Sequence, residues 1–338
     1  MKPFLTHNHT KHTPSVLFKL ALAGAIALAA ISTAQAQSSL PDDGFVDVPG
    51  GRVAFRTFGE GDGTPLLLIH GGPGGTSCMY PSTLQGIAED RPVIVYDQLG
   101  SGNSDRMADM QRDAVVPRFV EEVKAIREEL GLDEIHLAGH SWGGAVAMEY
   151  LLTADPVGVQ SVTFIGPLIG TERWLEDANS LISRLPETDQ QAVHAAIESG
   201  DYSTEEFQAA NDVFMGEFLS RGPIIRNELP ECANSPGGNG ELYEYMWGPS
   251  EFVSTGTLRD FDRTGQLSEI DIPTLFIAGE YDEARPETMK EFQAQVEGSE
   301  VEIVADAGHL VNVDQPEAFN AAVAEFLASV DAEDSNAE

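Results

Sequence analysis

Six short, nearly uninterrupted apolar runs constrain this chain more than any other feature. They are "PLLLIH" (65–70), "PVIVYD" (92–97), "EIHLAG" (134–139), "SVTFIG" (161–166), "TLFIAG" (274–279) and "VEIVAD" (301–306). Each is too short for a helix of ordinary length, and most carry β-branched residues. Strands of this kind are buried on both faces, which calls for a mostly parallel sheet covered by helices. The segments between them supply such helices. Phe119, Val123, Ile126 and Leu130 form an apolar stripe at helical spacing, and Gly131 stops it. "PEAFNAAVAEFLASV" opens on Pro316 and repeats the pattern through Phe319, Val323, Phe326 and Val330. Ahead of the first run, "FVDVPGGRVAFRTFGEG" reads as a hairpin about Gly50-Gly51.

The rhythm breaks between residues 171 and 265. "TERWLEDANSLISRL", "TDQQAVHAAIESG" and "STEEFQAANDVFMGEFLSR" are helical in pattern, with no strong strand among them. The expectation is a helical cap over 171–265, inserted into an α/β core made of 37–170 and 266–330. The acidic end "DAEDSNAE" (331–338) is expected to be a disordered tail. At the other end, Lys2, Lys11 and Lys19 precede the run "LALAGAIALAAIS", and "AQA" closes at Ala36. This is the pattern of a signal peptide over 1–36, so the mature protein is expected to start near Gln37 and be exported, periplasmic or secreted. No later segment is long and apolar enough for a membrane span.

The whole chain has 19 basic and 55 acidic residues. Removing 1–36 takes away three lysines and no acids, leaving 16 against 55, a net charge of −39. Such a surface repels nucleic acid and anionic lipid headgroups. Cys78 and Cys232 make an even count that permits a disulfide in an exported protein, although no spacing pattern supports pairing. Neither cysteine has metal-ligand spacing with a histidine.

"GHSWGG" (139–144) stands between the run "EIHLA" and the helix-forming "AVAMEYLL". Gly-x-Ser-x-Gly at a strand-to-helix turn is the nucleophile-elbow pattern, which leaves Ser141 exposed near a helix N-terminus that favours developing negative charge. A serine nucleophile needs a base, and the base an orienting acid, following in the chain order Ser, Asp, His. Asp282, in "FIAGEYDEARP", and His309, in "VADAGHL", each lie just past an apolar run and fit that order. Glu280 and Glu283 flank Asp282 as rivals for its place, and Asp306 lies too close to His309 in sequence. His136, His140 and His194 lack the chain order and position of a base. Acyl transfer also needs two backbone N–H groups aimed at the carbonyl oxygen. One is assigned to Trp142, after the nucleophile; the other to the loop "LIHGGPGGTS" (68–77), with Gly72 the first choice and Gly71 the second.

With these residues assembled, the chain resembles an α/β-hydrolase of the proline iminopeptidase family over roughly residues 44–328. The resemblance rests on "HGGPGG", "GHSWGG", "VYDQLGSGNSD" (95–105), "GEYDEARP", "AGHL" and "GPSEFVSTGTLRDFD" (248–262). Leu99 departs from it, standing where the most familiar members carry arginine; non-arginine residues there resemble the branch of tricorn-interacting aminopeptidases and amino-acid amidases. The resemblance implies hydrolysis of an amide or peptide bond after a free N-terminal residue, proline among those residues, through an acyl-enzyme and without a cofactor. It also implies that Glu251, in "GPSEF", binds the substrate amine. Glu217, in "FMGEFLSR", is the second candidate for that task, by approximate position in the cap. A carboxylesterase or lactonase using the same triad is the alternative.

Overall fold

The computed structural model describes residues 40–154, 156–222, 230–233 and 235–337. The expected signal peptide lies outside them. Eight strands form one sheet: β1 (Asp43–Val48), β2 (Gly51–Phe58), β3 (Leu66–Ile69), β4 (Val93–Asp97), β5 (Ile135–His140), β6 (Val159–Ile165), β7 (Thr274–Gly279) and β8 (Glu300–Val304). Their order is β1-β2-β4-β3-β5-β6-β7-β8. The β1–β2 and β2–β4 pairs are antiparallel, and all pairs from β4 to β8 are parallel. The six apolar runs are the six strands β3 to β8.

Alternation along each strand divides the core between the two faces. Leu67, Ile69, Ile94, Tyr96, Ile135 and Leu137 belong to one hydrophobic cluster, with the helices Val116–Leu130 and Trp142–Thr153. Leu66, Leu68, Val93, Val95 and Ala138 belong to the other, with Phe319, Val323, Phe326 and Val330 of the last helix. The Val116–Leu130 helix ends at Gly131, whose φ of 64° is the left-handed stop that glycine allows. Between β6 and β7 the chain is mainly helical: Thr171–Ile182, Glu187–Ser199, Glu205–Phe214 and Gly240–Met246. This cap has its own core, built from Leu181, Ile182, Leu185, Val193, Phe207, Phe214, Phe218 and Phe252. Among the described residues no helix is long and apolar enough to cross a membrane.

One feature settles a pairing that the sequence leaves open, and another differs from expectation. Cys78, just past the glycine loop, forms a disulfide with Cys232 in the cap. The bridge joins segments that only the tertiary fold brings together. The acidic end departs from the disordered tail expected for 331–338, because the last helix runs from Pro316 to Ala337. Asp331, where that segment begins, pairs with Arg91 at 3.0 Å and with His136 at 3.1 Å. Both partners are buried, so the carboxylate supplies charge that their surroundings need.

Asp331→Ala should therefore reduce stability by about 1–3 kcal/mol, the cost of depriving buried polar groups of a partner. Urea unfolding measures it; an unchanged midpoint would place the acidic end outside the cooperative fold.

Candidate active site

In an open parallel sheet, loops at the carboxyl ends of the strands share one edge. β5 passes into the helix Trp142–Thr153 through Ser141, whose φ of 56° and ψ of −120° are unusual for a non-glycine residue. The turn needs small neighbours. A Cβ on Gly139 would run into the Gly143 carbonyl, and one on Gly143 into the Ile69 carbonyl. Ser141 N–H donates to the Ile165 carbonyl at the end of β6 (2.9 Å), while the Ser141 carbonyl accepts from Gly144 and Leu168. Ser141 stays partly accessible, whereas the residues from Trp142 to Tyr150 are all buried.

Asp282 follows β7, and His309 follows β8. His309 Nδ1 lies 2.7 Å from Asp282 Oδ1, and both side chains are buried. The same Asp282 oxygen accepts from Ala284 N–H at 2.8 Å. A carboxylate only accepts, so Nδ1 carries the proton and Nε2 is left to act as base. Gly166 lies over this pair: a Cβ there would stand 2.8 Å from both Asp282 Oδ2 and His309 Nδ1. Ile165 therefore touches Ser141 while the next residue touches the Asp282–His309 pair. The three residues expected to carry the chemistry converge at the end of β6.

The glycine loop reaches Ser141 through Gly71, where a Cβ would be 3.0 Å from Ser141 Cβ. The loop is held by Gln98, a residue that the sequence reading did not single out. Gln98 N–H donates to His70 Nε2 (3.0 Å), its amide donates to the His70 carbonyl (2.7 Å), and its Oε1 accepts from Trp142 Nε1 (2.8 Å). Asp97 pins the loop's far end by accepting from Ser77 and Asn103. Leu99 is fully buried and packs beneath the Gly50–Gly51 turn, so in this chain it is a core residue.

The cap closes over the base. The edge of the Trp174 ring meets His309 at a centroid distance of 5.6 Å, and Trp174 Nε1 donates to the Glu251 carbonyl at 2.9 Å. His309 and Leu310 N–H donate to the Phe218 and Leu219 carbonyls, each at 2.8 Å. Opposite, Asn239 N–H donates to the Gly74 carbonyl at 2.7 Å.

Two glutamates face this enclosure. Burial pushes the Glu251 carboxyl above its ordinary range, against the opposing pull of His309. Burial, then Glu251, push Glu283 well above its range, with Asp282 adding to the effect and His309 opposing it. Glu283 is 1% exposed, its Oε1 is 3.8 Å from His309 Nε2, and no hydrogen bond from the described residues reaches either of its oxygens. Burial alone would lower the His309 pKa; Asp282, Glu283 and Glu251 overcome it and raise it to about 9. Glu217 is not part of this group. Its side chain is 56% exposed and pairs with Arg221, one helical turn on, at 3.0 Å. The second acidic residue beside the base is Glu283, which the sequence reading weighed only as a rival to Asp282. One glutamate among 55 acidic residues carries no mark of burial in its sequence.

The α/β-hydrolase fold family matches residues 64–316. A proline iminopeptidase of Heyndrickxia coagulans is 41% identical over 291 residues, covering 85% of this chain and 99% of the relative. One from Levilactobacillus brevis is 36% identical over 269 residues, covering 79% of this chain and 89% of the relative. The crystal structure of a proline iminopeptidase from Mycobacterium smegmatis is similar with a TM-score of 0.77 and 27% identity, over 86% of this chain and 99% of that one. Fold, site geometry and relatives agree: the chain belongs to the α/β-hydrolases and, within them, to the proline iminopeptidase family.

Proposed function

We propose that this protein is a serine aminopeptidase releasing the N-terminal residue, proline among its substrates, from short peptides or amides. Ser141 Oγ attacks the acyl carbon while His309 Nε2 takes its proton and Asp282 holds the imidazole tautomer. Backbone N–H groups of Gly72 and Trp142 receive the developing oxyanion. His309 then returns the proton to the leaving amine, and water releases the acyl group from Ser141. The relatives' names support proline as a released residue.

The observation that carries the requirement for a free amine is Glu283, buried beside His309 and without a hydrogen bond from the described residues. With Glu251 it provides two acceptors for an N-terminal ammonium near the scissile carbonyl. Such an ammonium also supplies the positive charge that these carboxylates otherwise draw from His309. The proposed amine site therefore both selects the substrate end and lowers the pKa of the base.

Export is part of the same proposal. The charged start, apolar run and "AQA" of residues 1–36 support it, and the Cys78–Cys232 bridge suits an oxidising compartment. N-terminal sequencing of the exported protein should begin at or near Gln37; recovery of an intact Met1 chain would refute cleavage.

A serine-directed phosphonate should label Ser141 in the native protein and fail to label Ser141→Ala, which should also lose turnover of aminoacyl-naphthylamides. Persistent labelling or turnover in the variant would overturn the nucleophile assignment.

Glu251→Gln and Glu283→Gln should each weaken kcat/KM on an aminoacyl amide by about 1.5–3 kcal/mol, the value of a charged hydrogen bond. Hydrolysis of an uncharged acyl ester at its optimal pH should be spared. The base is neutral only above its pKa, so native activity on that ester should climb with pH towards about 9. Glu283→Gln should move this rise to lower pH by removing a carboxylate that favours the imidazolium. Equal losses on amide and ester, with an unmoved profile, would exclude the amine site.

A further inference from the structure

His140 is buried next to the nucleophile, yet the mechanism gives it no task. Its ring is held at both nitrogens: Nδ1 meets the Tyr80 hydroxyl at 3.0 Å, and Nε2 meets the His309 backbone carbonyl at 3.0 Å. A carbonyl only accepts, so Nε2 carries a proton. Burial, and then the nearby His309 and His70 rings, push the His140 pKa down to about 3, which keeps the imidazole neutral. In a neutral ring protonated on Nε2, Nδ1 is an acceptor, and the Tyr80 hydroxyl must donate to it. The Tyr80 backbone is tied in turn to the glycine loop, its N–H donating to the Ser77 carbonyl at 3.2 Å. The side-chain bonds then run one way: from Tyr80 O–H to His140 Nδ1, and from His140 Nε2–H to the His309 carbonyl.

We propose that Tyr80 and His140 are positioning residues that hold the loop of the general base and the glycine loop in register on either side of Ser141. The inference rests on reading His309 as the base and the glycine loop as an oxyanion donor. Neither positioning residue need touch substrate. The backbone N–H groups of His309 and Leu310 both donate to the cap, at Phe218 and Leu219. His140 instead ties His309 to β5, the strand that delivers Ser141, and its ring lies 4.9 Å from the His309 ring. Tyr80 extends the tie to the end of the glycine loop at Ser77, and Gly71 of the same loop lies against the Ser141 side chain. A proton on His140 Nδ1 would break the order of donors and set a second cation against His309 as the latter becomes imidazolium during acylation.

The test combines the tautomer with two kinds of variant. Nitrogen NMR of the native enzyme should find His140 as the neutral, Nε2-protonated tautomer, unchanged from about pH 8 to about pH 5, where an ordinary histidine would charge. His140→Leu removes both bonds, whereas the amide of His140→Gln can still donate to the His309 carbonyl. The leucine variant should lose roughly tenfold or more in kcat, about the worth of the two hydrogen bonds it removes. It should lose as much in the rate of phosphonate labelling, with KM nearly unchanged and a displaced acid limb in the pH profile. The glutamine variant should recover most of that loss, and Tyr80→Phe should fall between the two. Native kcat and labelling rate in His140→Leu, or an Nδ1-protonated or charged His140 in the native enzyme, would overturn the proposal. If His140→Leu does not fold, the tautomer and Tyr80→Phe decide: native kinetics in Tyr80→Phe would refute the role. Failure of the native enzyme to label at Ser141 would count instead against the active-site reading, and the tautomer would still judge the hydrogen-bond order.

Discussion

Ser141 is held at a positive φ that costs a non-glycine residue on the order of 1–3 kcal/mol, and much of the molecule is arranged to keep it there. Its N–H is fixed by β6, its carbonyl by Gly144 and Leu168, and its flanks by glycines that admit neighbouring carbonyls. The conformation lifts the hydroxyl out of the strand line without loosening the strand. It also brings Ser141 to Ile165, one residue before Gly166, which touches the Asp282–His309 pair. The spacing of nucleophile and base is thereby set by a strand of the central sheet, the stiffest part of the fold.

The cap completes what the sheet begins. Trp174 reaches both His309 and the Glu251 carbonyl from the helix Thr171–Ile182. The same helix is anchored to the core by Asp177, which accepts from Thr288 Oγ1 at 2.5 Å and lies 3.7 Å from the Arg285 guanidinium. Burial raises the Asp177 pKa to about 6 despite the Thr288 hydrogen bond and the arginines Arg173 and Arg285. On the opposite flank the Cys78–Cys232 bridge and the Asn239–Gly74 hydrogen bond fasten the cap to the glycine loop. An enclosure tied down on both flanks suits short substrates better than folded chains.

The sheet was legible because its strands are buried on both faces, so each left an unbroken apolar run; β5 and β7 stand within one residue of the stretches that announced them. Ser141, Asp282 and His309 were legible because their positions depend on strand ends, which those runs mark. What escaped depends on contacts between distant segments. Cys78 and Cys232 are separated by 154 residues, and nothing local relates them. Acidity suggested disorder at the C-terminus, but Asp331 finds Arg91 and His136 on the core. Glu217 is marked in the sequence only by approximate position in a helical cap, where a small shift in helical phase separates an inward side chain from one pairing with Arg221 in solvent. Glu283 lay in plain view beside Asp282, but its burial is a tertiary property.

Burying Glu283 beside Asp282, with Glu251 partly buried nearby, makes little sense as a device for stability. Carboxylates removed from water cost free energy unless charge or hydrogen bonds compensate them, and here several crowd a single imidazole. Asp282 is compensated by His309 Nδ1 and the Ala284 N–H. Glu283 has neither, and His309 Nε2 at 3.8 Å is its nearby cation only while that ring is charged. A charged ring cannot take the serine proton. On the proposed reading, the enclosure is matched to a bound ammonium. In that arrangement, the positive charge that brings a substrate to the site also frees the base to act on it. Recognition of the free amine and activation of Ser141 then become one electrostatic event.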